Sequence, residues 1–211
     1  GKKYHPDYVV ISIFPEDFWR ATRAFTDTGY AKPYFSISSE GQLTLKNVPA
    51  PHPVKLPAEQ FPELREPSGV ENVLHSLELY KVGVKVLNKL AKELNLIDPD
   101  STLEWILGRE ILKNVLMEIR NNGAEPVILI IPPDRWIKNH SLEAFHKSVL
   151  RFSKRENVDL IDPTQAFIRA VEASHLTDYY INEDWHWTDE GHALIAAILS
   201  DYFRSKGKLS F

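Results

Sequence analysis

The chain has 211 residues, 43% of them hydrophobic and 26% charged, with a formal net charge of -4. That balance excludes a disordered tail and a basic polyanion binder, so no nucleic-acid partner is expected; no apolar run approaches the roughly 20 residues that span a bilayer, so no membrane span is expected either. A cysteine count of 0 excludes disulfides, thiolate metal sites and a cysteine nucleophile, and leaves the compartment open.

In chain order, residues 8–14 form a short β-branched run between Pro6-Asp7 and Pro15-Glu16. Such a run reads as a strand buried on both faces, with Ser12 packed inside it. Residues 34–38 and 42–46 alternate apolar and polar around Gly41 and predict a hairpin. Pro49, Pro51, Pro53 and Pro57 then mark an extended surface segment. Residues 33–69 read as an insertion on a single domain spanning 1–211. A helix follows, with a stripe from Val70 to Leu94 and a capping box of Ser68 and Glu71. Ser101 and Glu104 predict the start of a second helix, striped by Leu103, Ile106, Leu107, Ile111, Val115 and Ile119. Asn121-Asn122-Gly123 is its stop signal. Residues 127–131 form a second buried strand, ending at Pro132-Pro133. A helix over about 141–156 and a third strand at 158–161 come next, and a last helix starts near Thr188. Strands alternating with helices predict an α/β fold with a parallel sheet and helices on both faces. Ligands bind such sheets beyond the carboxyl ends of the strands.

The densest polar cluster runs from Asn182 to His192, and within it Asp184 and His186 stand two residues apart. A carboxylate so placed can accept a hydrogen bond from one imidazole nitrogen and leave the other free as a general base. Gly191 would allow close approach at the following helix, and Trp185 and Trp187 would shield the pair from water. Two other readings of the cluster stay open. One is a plain helix start, with Thr188 as cap and the acids on the helix dipole. The other is a metal site of Asp184, His186, Asp189 and His192. Elsewhere, His140 and His146 read as exposed positions, His75 as a helix-surface residue, and His175 as a weak candidate for the cleft. Arg135 and Trp136 follow a strand end and could shape a pocket, though a Trp at such a place more often packs. Lys147, Arg151, Lys154 and Arg155 read as a solvated helix face, and Ser68, Ser101 and Ser141 as helix caps.

The block Asp184-x-His186-Trp187-Thr188-x-x-Gly191-His192, followed by Ala193-Leu194-Ile195-Ala196-Ala197, resembles the last sequence block of the SGNH/GDSL hydrolase family. Its two-residue Asp–His spacing with a trailing Trp is similar to a variant in several bacterial branches and in alginate O-acetylation enzymes. Residues 6–18 resemble the family's third strand and the loop after it, residues 32–45 an insertion of one bacterial branch, and residues 123–132 and 158–163 its late strands. The resemblance implies a three-layer αβα, flavodoxin-like topology, with Asp184 as orienting acid and His186 as general base of a Ser-His-Asp triad. It also implies that the Gly-Asp-Ser block with the nucleophile precedes this chain, together with the first strands. Where the family carries an oxyanion-donating Asn after the third strand, this chain has Glu16 and Asp17, and an ionised Glu there would repel an oxyanion.

The expectation is therefore a serine esterase or acylhydrolase acting on a small ester or an acylated carbohydrate, with no cofactor and no metal. The alternatives are an O-acyltransferase, or a non-catalytic carbohydrate- or partner-binding module on a degenerate hydrolase scaffold. With the first strands elsewhere, the strand edge at 8–14 would be covered by a second copy of the chain, by an N-terminal fragment or by rearranged local structure.

Overall fold

The computed structural model describes residues 2–26, 30–38, 41–49, 100, 102–140, 144–182, 184 and 186–208. The expected helix over residues 70–94, with its start at Ser68 and Glu71 and with His75, lies outside them, as do Pro51, Pro53, Pro57, Ser101 and Ser141. The chain forms two compact units: Gly1–Trp19 with Gly108–Phe211, and Arg20–Leu107.

The first unit is a mixed α/β structure around a parallel three-stranded sheet. Strand β1 (Tyr8–Ile13) is followed by helix α1 (Pro15–Ala21). Helix α2 (Leu103–Asn121) leads into strand β4 (Glu125–Ile130), short helix α3 (Asp134–Asn139) and helix α4 (Ala144–Glu156). Strand β5 (Asp159–Ile161) precedes helices α5 (Thr164–Ala173), α6 (Leu176–Tyr179) and α7 (Asp189–Ser205). The strand order is β1-β4-β5, with Tyr8 opposite Glu125, Ile13 opposite Ile130, and Leu129 opposite Ile161.

Strand β4 lies in the middle and is the buried strand its sequence predicts. Val127 and Leu129 on one face pack with Phe167 and Ile168 of α5 and Ile195 of α7, while Ile128 and Ile130 on the other face are fully buried too. Strand β1 departs from the prediction. It stands at the sheet edge among the described residues, and only Ile13 is buried. Ser12, expected to pack, is exposed, because an edge strand has neighbours on one side only. Tyr8 still anchors the edge by meeting Phe203 of α7 edge-on at 5.3 Å. The Asn-Asn-Gly stop operates as read: Gly123 takes φ +81° and its N–H donates to the Arg120 carbonyl at 2.9 Å.

In the second unit, strands β2 (Tyr34–Ile37) and β3 (Leu43–Lys46) form the expected antiparallel hairpin, with Tyr34 opposite Lys46. Ser38 exchanges backbone bonds with Gln42 and Gly41, and Gly41 adopts φ +80°, as a tight turn requires. The start of α2 is held by Thr102, whose hydroxyl accepts the Trp105 N–H at 3.3 Å.

One helix contact depends on a missing side chain. A Cβ on Gly108 would lie 2.0 Å from Cδ1 of the buried Phe18 ring. Alanine would gain about 1 kcal/mol of helix propensity but cost about 1–3 kcal/mol of overpacking. Gly108→Ala should therefore lower the midpoint of thermal unfolding, and Phe18→Leu should cost less in that background than alone. Additive effects of the two substitutions would contradict the contact.

Candidate functional site

The last three elements build the site from two short backbone segments. Tyr180 and Trp187 form an antiparallel bridge, flanked by the Ile181 N–H on the His186 carbonyl (3.0 Å) and the Thr188 N–H on the Tyr179 carbonyl (3.1 Å). Both bridge residues turn inward. Tyr180 is buried and donates its hydroxyl to the Pro132 carbonyl at 2.9 Å, and Trp187 stacks on Phe167 at 5.5 Å. Burial pushes the Tyr180 phenol well above its ordinary pKa, with the nearby Trp187 side chain opposing and the Asp134 charge adding to the rise, so it stays a donor.

The next pair outward is Ile181 and His186. In a continued ladder each would donate to the other. Here the Ile181 carbonyl instead accepts the Asp184 N–H at 3.0 Å, and the His186 N–H is taken by Asp184 Oδ1 at 3.2 Å. The same carboxylate oxygen bonds His186 Nδ1. Asp184 is thus gripped through its backbone while its carboxylate holds both the backbone and the ring of His186. With Nδ1 donating to the carboxylate, Nε2 keeps its lone pair. That nitrogen has no partner among the described residues.

The surroundings of this pair correct one expectation. Trp187 does not cover it, because its ring is committed to Phe167, and Trp185 lies outside the described residues. The His186 side chain is 81% exposed and that of Asp184 48%. The imidazole faces solvent and is open to a reacting group.

The start of α7 fixes the far side of the loop. Thr188 is the cap, accepting the Gly191 N–H at 3.2 Å while its hydroxyl donates to the Asp178 carbonyl. The helix start is thus as read, and the Asp184–His186 contact lies just before it in the chain. Gly191 has the role its position suggests: a Cβ there would meet the Tyr179 carbonyl oxygen at 2.5 Å and Trp187 Cβ at 2.8 Å. The metal reading finds no support in the geometry. Among the described residues no three His, Asp or Glu side chains converge in a metal-holding group, and the His192 ring packs edge-on against Trp187 at 5.6 Å.

Glu16 and Asp17, expected at the cleft, take separate roles. Asp17 accepts the Phe14 N–H at 3.2 Å, half of a capping box at the start of α1, so its carboxylate serves the helix. Glu16 stands just past the end of β1 and accepts Arg135 Nη1 at 2.7 Å from just past the end of β4. Its Oε2 is buried and finds no hydrogen-bond partner among the described residues.

Sequence reasoning missed a second histidine–carboxylate pair. His146, expected to be exposed, is buried on α4, and its Nε2 lies 2.6 Å from Asp162 Oδ2 at the end of β5. Asp162 Oδ1 accepts both the N–H and the hydroxyl of Thr164. The signal was present: His146 lies three and seven residues before Val149 and Ser153, on the buried face of α4. Of the other histidines, His140 is exposed, 3.6 Å from Glu172, and His175 is exposed with its N–H on Asp178 at 3.1 Å. Trp136 is buried and meets the His146 ring edge-on at 5.6 Å, so it packs instead of lining a pocket. Lys147, Arg151, Lys154 and Arg155 are exposed, as predicted.

Compared with protein-family models, with curated proteins and with solved structures, the chain matches none. Among the described residues no helix is long and apolar enough to cross a membrane.

Two outcomes follow from these contacts. Burial alone would raise the Asp162 carboxyl, but hydrogen bonds from His146 and Thr164 outweigh it and hold it below the ordinary aspartate range. A depressed folded-state pKa contributes stability above the unfolded value, lost as pH falls through the folded one. Asp162→Asn should therefore cost about 1–2 kcal/mol at neutral pH. The gap in denaturant midpoint between it and the parent should narrow as pH drops below about 4; a pH-independent gap would refute the linkage. Gly191→Ala sets a Cβ against rigid backbone and should cost about 2 kcal/mol or more. Trp187 fluorescence should report a loosened bridge, and a parent-like spectrum and midpoint would show that the close approach is unimportant.

Proposed function

We propose that this chain carries the general base and its orienting acid of an SGNH/GDSL-like serine ester hydrolase. One observation supports this above all: among the described residues His186 presents an unpartnered Nε2 on a solvent-facing ring while Asp184 holds Nδ1. The pair sits on the loop before the last helix, and Tyr180 ties that loop to the carboxyl end of the middle parallel strand. Motif spacing, loop position and strand-end location agree with the arrangement that the family resemblance implies. In this reading β1, β4 and β5 are later strands of a flavodoxin-like αβα sheet, and the nucleophile belongs to a Gly-Asp-Ser block outside these 211 residues.

In the proposed reaction Nε2 takes the serine hydroxyl proton as Oγ bonds to the ester carbonyl carbon. Asp184 stabilises the imidazolium that forms. The imidazolium returns the proton to the alcohol oxygen as the C–O bond breaks, leaving an acyl-enzyme that water clears by the same steps. The Glu16 charge that would oppose an oxyanion is offset by Arg135 at 2.7 Å.

The test uses the full-length protein and short-chain acyl esters. His186→Ala should lower kcat by about 10³-fold or more, and Asp184→Asn by up to about 10⁴-fold through loss of the correct tautomer. A serine-reactive phosphonate should label the parent protein. Parent-like turnover in His186→Ala would refute the assignment, and absence of both turnover and labelling in the parent would leave a binding module on this scaffold.

A further inference from the structure

Among the described residues, the His186 loop carries one exposed large hydrophobic side chain, and its place is set by backbone geometry. Ile181 is 46% exposed. It stands directly across from His186, since Tyr180 pairs with Trp187 and the Ile181 N–H donates to the His186 carbonyl at 3.0 Å. Opposed residues of an antiparallel pair put their side chains on the same face, and successive residues alternate faces. Tyr180 and Trp187 occupy the inner face, where the core holds them. Ile181 and His186 flank that bridge on its exposed side, joined by the Ile181 N–H on the His186 carbonyl.

Resting on the esterase reading above, we infer that Ile181 is a specificity-determining residue for the leaving alcohol of the ester, and that it selects an alcohol with an apolar face next to the ester oxygen. The order of bond changes assigns this side. The proton held on Nε2 goes to the alcohol oxygen as the carbonyl C–O bond breaks, so the alcohol must lie against the His186 ring when it departs. The acyl group stays on the serine and has no such requirement. Nδ1 is turned to Asp184, so the alcohol meets the other edge of the ring, on the exposed loop that also carries Ile181. An aliphatic side chain there, partly out of water and held by two backbone bonds of its own residue, offers an ordered apolar surface to that alcohol.

The experiment compares full-length parent, Ile181→Ser, Ile181→Leu and His186→Ala on methyl acetate, cyclohexyl acetate and methyl butyrate. The ratio of kcat/KM for cyclohexyl over methyl acetate should fall about tenfold in Ile181→Ser, the scale of losing apolar contacts in a pocket. It should recover in Ile181→Leu. The ratio of methyl butyrate over methyl acetate should hold within twofold, because it varies only the acyl group. Thermal midpoints matching the parent establish that both Ile181 variants are folded. An unchanged alcohol ratio alongside an inactive His186→Ala overturns this inference alone, as does a shift confined to the butyrate ratio. An active His186→Ala overturns the esterase reading beneath it.

Discussion

A buried phenol holds the site in place. The Tyr180 hydroxyl donates to the carbonyl of Pro132, 48 residues earlier in the chain, at 2.9 Å. Pro132 closes the run of β4, whose faces are both covered, so its carbonyl is anchored in the stiffest part of the sheet. A carbonyl buried there without a donor would cost about 1–3 kcal/mol, and Tyr180 satisfies it. Its own burial keeps the phenol protonated, so the bond does not depend on pH near neutrality. Once Tyr180 is committed inward, strand alternation decides the rest. Trp187 opposite it must also turn inward, and their outer neighbours Ile181 and His186 must turn outward. The exposure of the imidazole is thus a consequence of the core, two bonds removed.

The two histidine–carboxylate pairs show why contact alone does not define a base. His146 and Asp162 meet at 2.6 Å, a geometry as good as that of the outer pair. His146 has 3% side-chain exposure, however, and its second nitrogen is enclosed with no partner among the described residues. No substrate proton can reach that nitrogen without opening the core. His186 has the complementary design: Nδ1 is used, Nε2 is open, and 81% of the side chain is accessible. The inner pair joins α4 to the end of β5, and the outer pair faces solvent.

Much of this was legible in local sequence. Strand β4 is an unbroken apolar run before Pro132, and it folded as the doubly buried strand that such runs specify. Thr188 and Gly191 were readable because a cap and a close approach are set within three or four residues. The Asp184–His186 contact was readable for the same reason, at a separation of two. Burial was less legible. Residues 8–14 looked as apolar as β4, but the apolar run could not show that β1 would lie at the edge among the described residues. The aromatic neighbours of His186 suggested shielding, and Phe167, 20 residues before Trp187, drew that ring away. Helices α1, α3 and α6 are too short to show a period. The Glu16–Arg135 pair spans 119 residues and leaves no local trace.

That last pair belongs to a pattern running across the whole sheet. Past each of the three described parallel strands a polar group meets a side chain from another element. Past β1, Glu16 meets Arg135; past β4, the Pro132 carbonyl meets Tyr180; past β5, Asp162 meets His146. The carboxyl edge of a parallel sheet is where chains of this architecture meet their ligands, and it is also where strand ends leave polar groups behind. Closing those groups with long-range partners fixes the loops relative to the strands before any ligand arrives. Ordering such loops on binding would otherwise cost about 1–2 kcal/mol per residue. The Glu16 charge, which in isolation argues against anion stabilisation at this edge, is the clearest case. Read alone it is a carboxylate in the wrong place, but beside Arg135 it is half of a near-neutral brace between the first and middle strands. A negative charge developing at this edge would therefore meet a carboxylate already paired with a guanidinium, not a bare one.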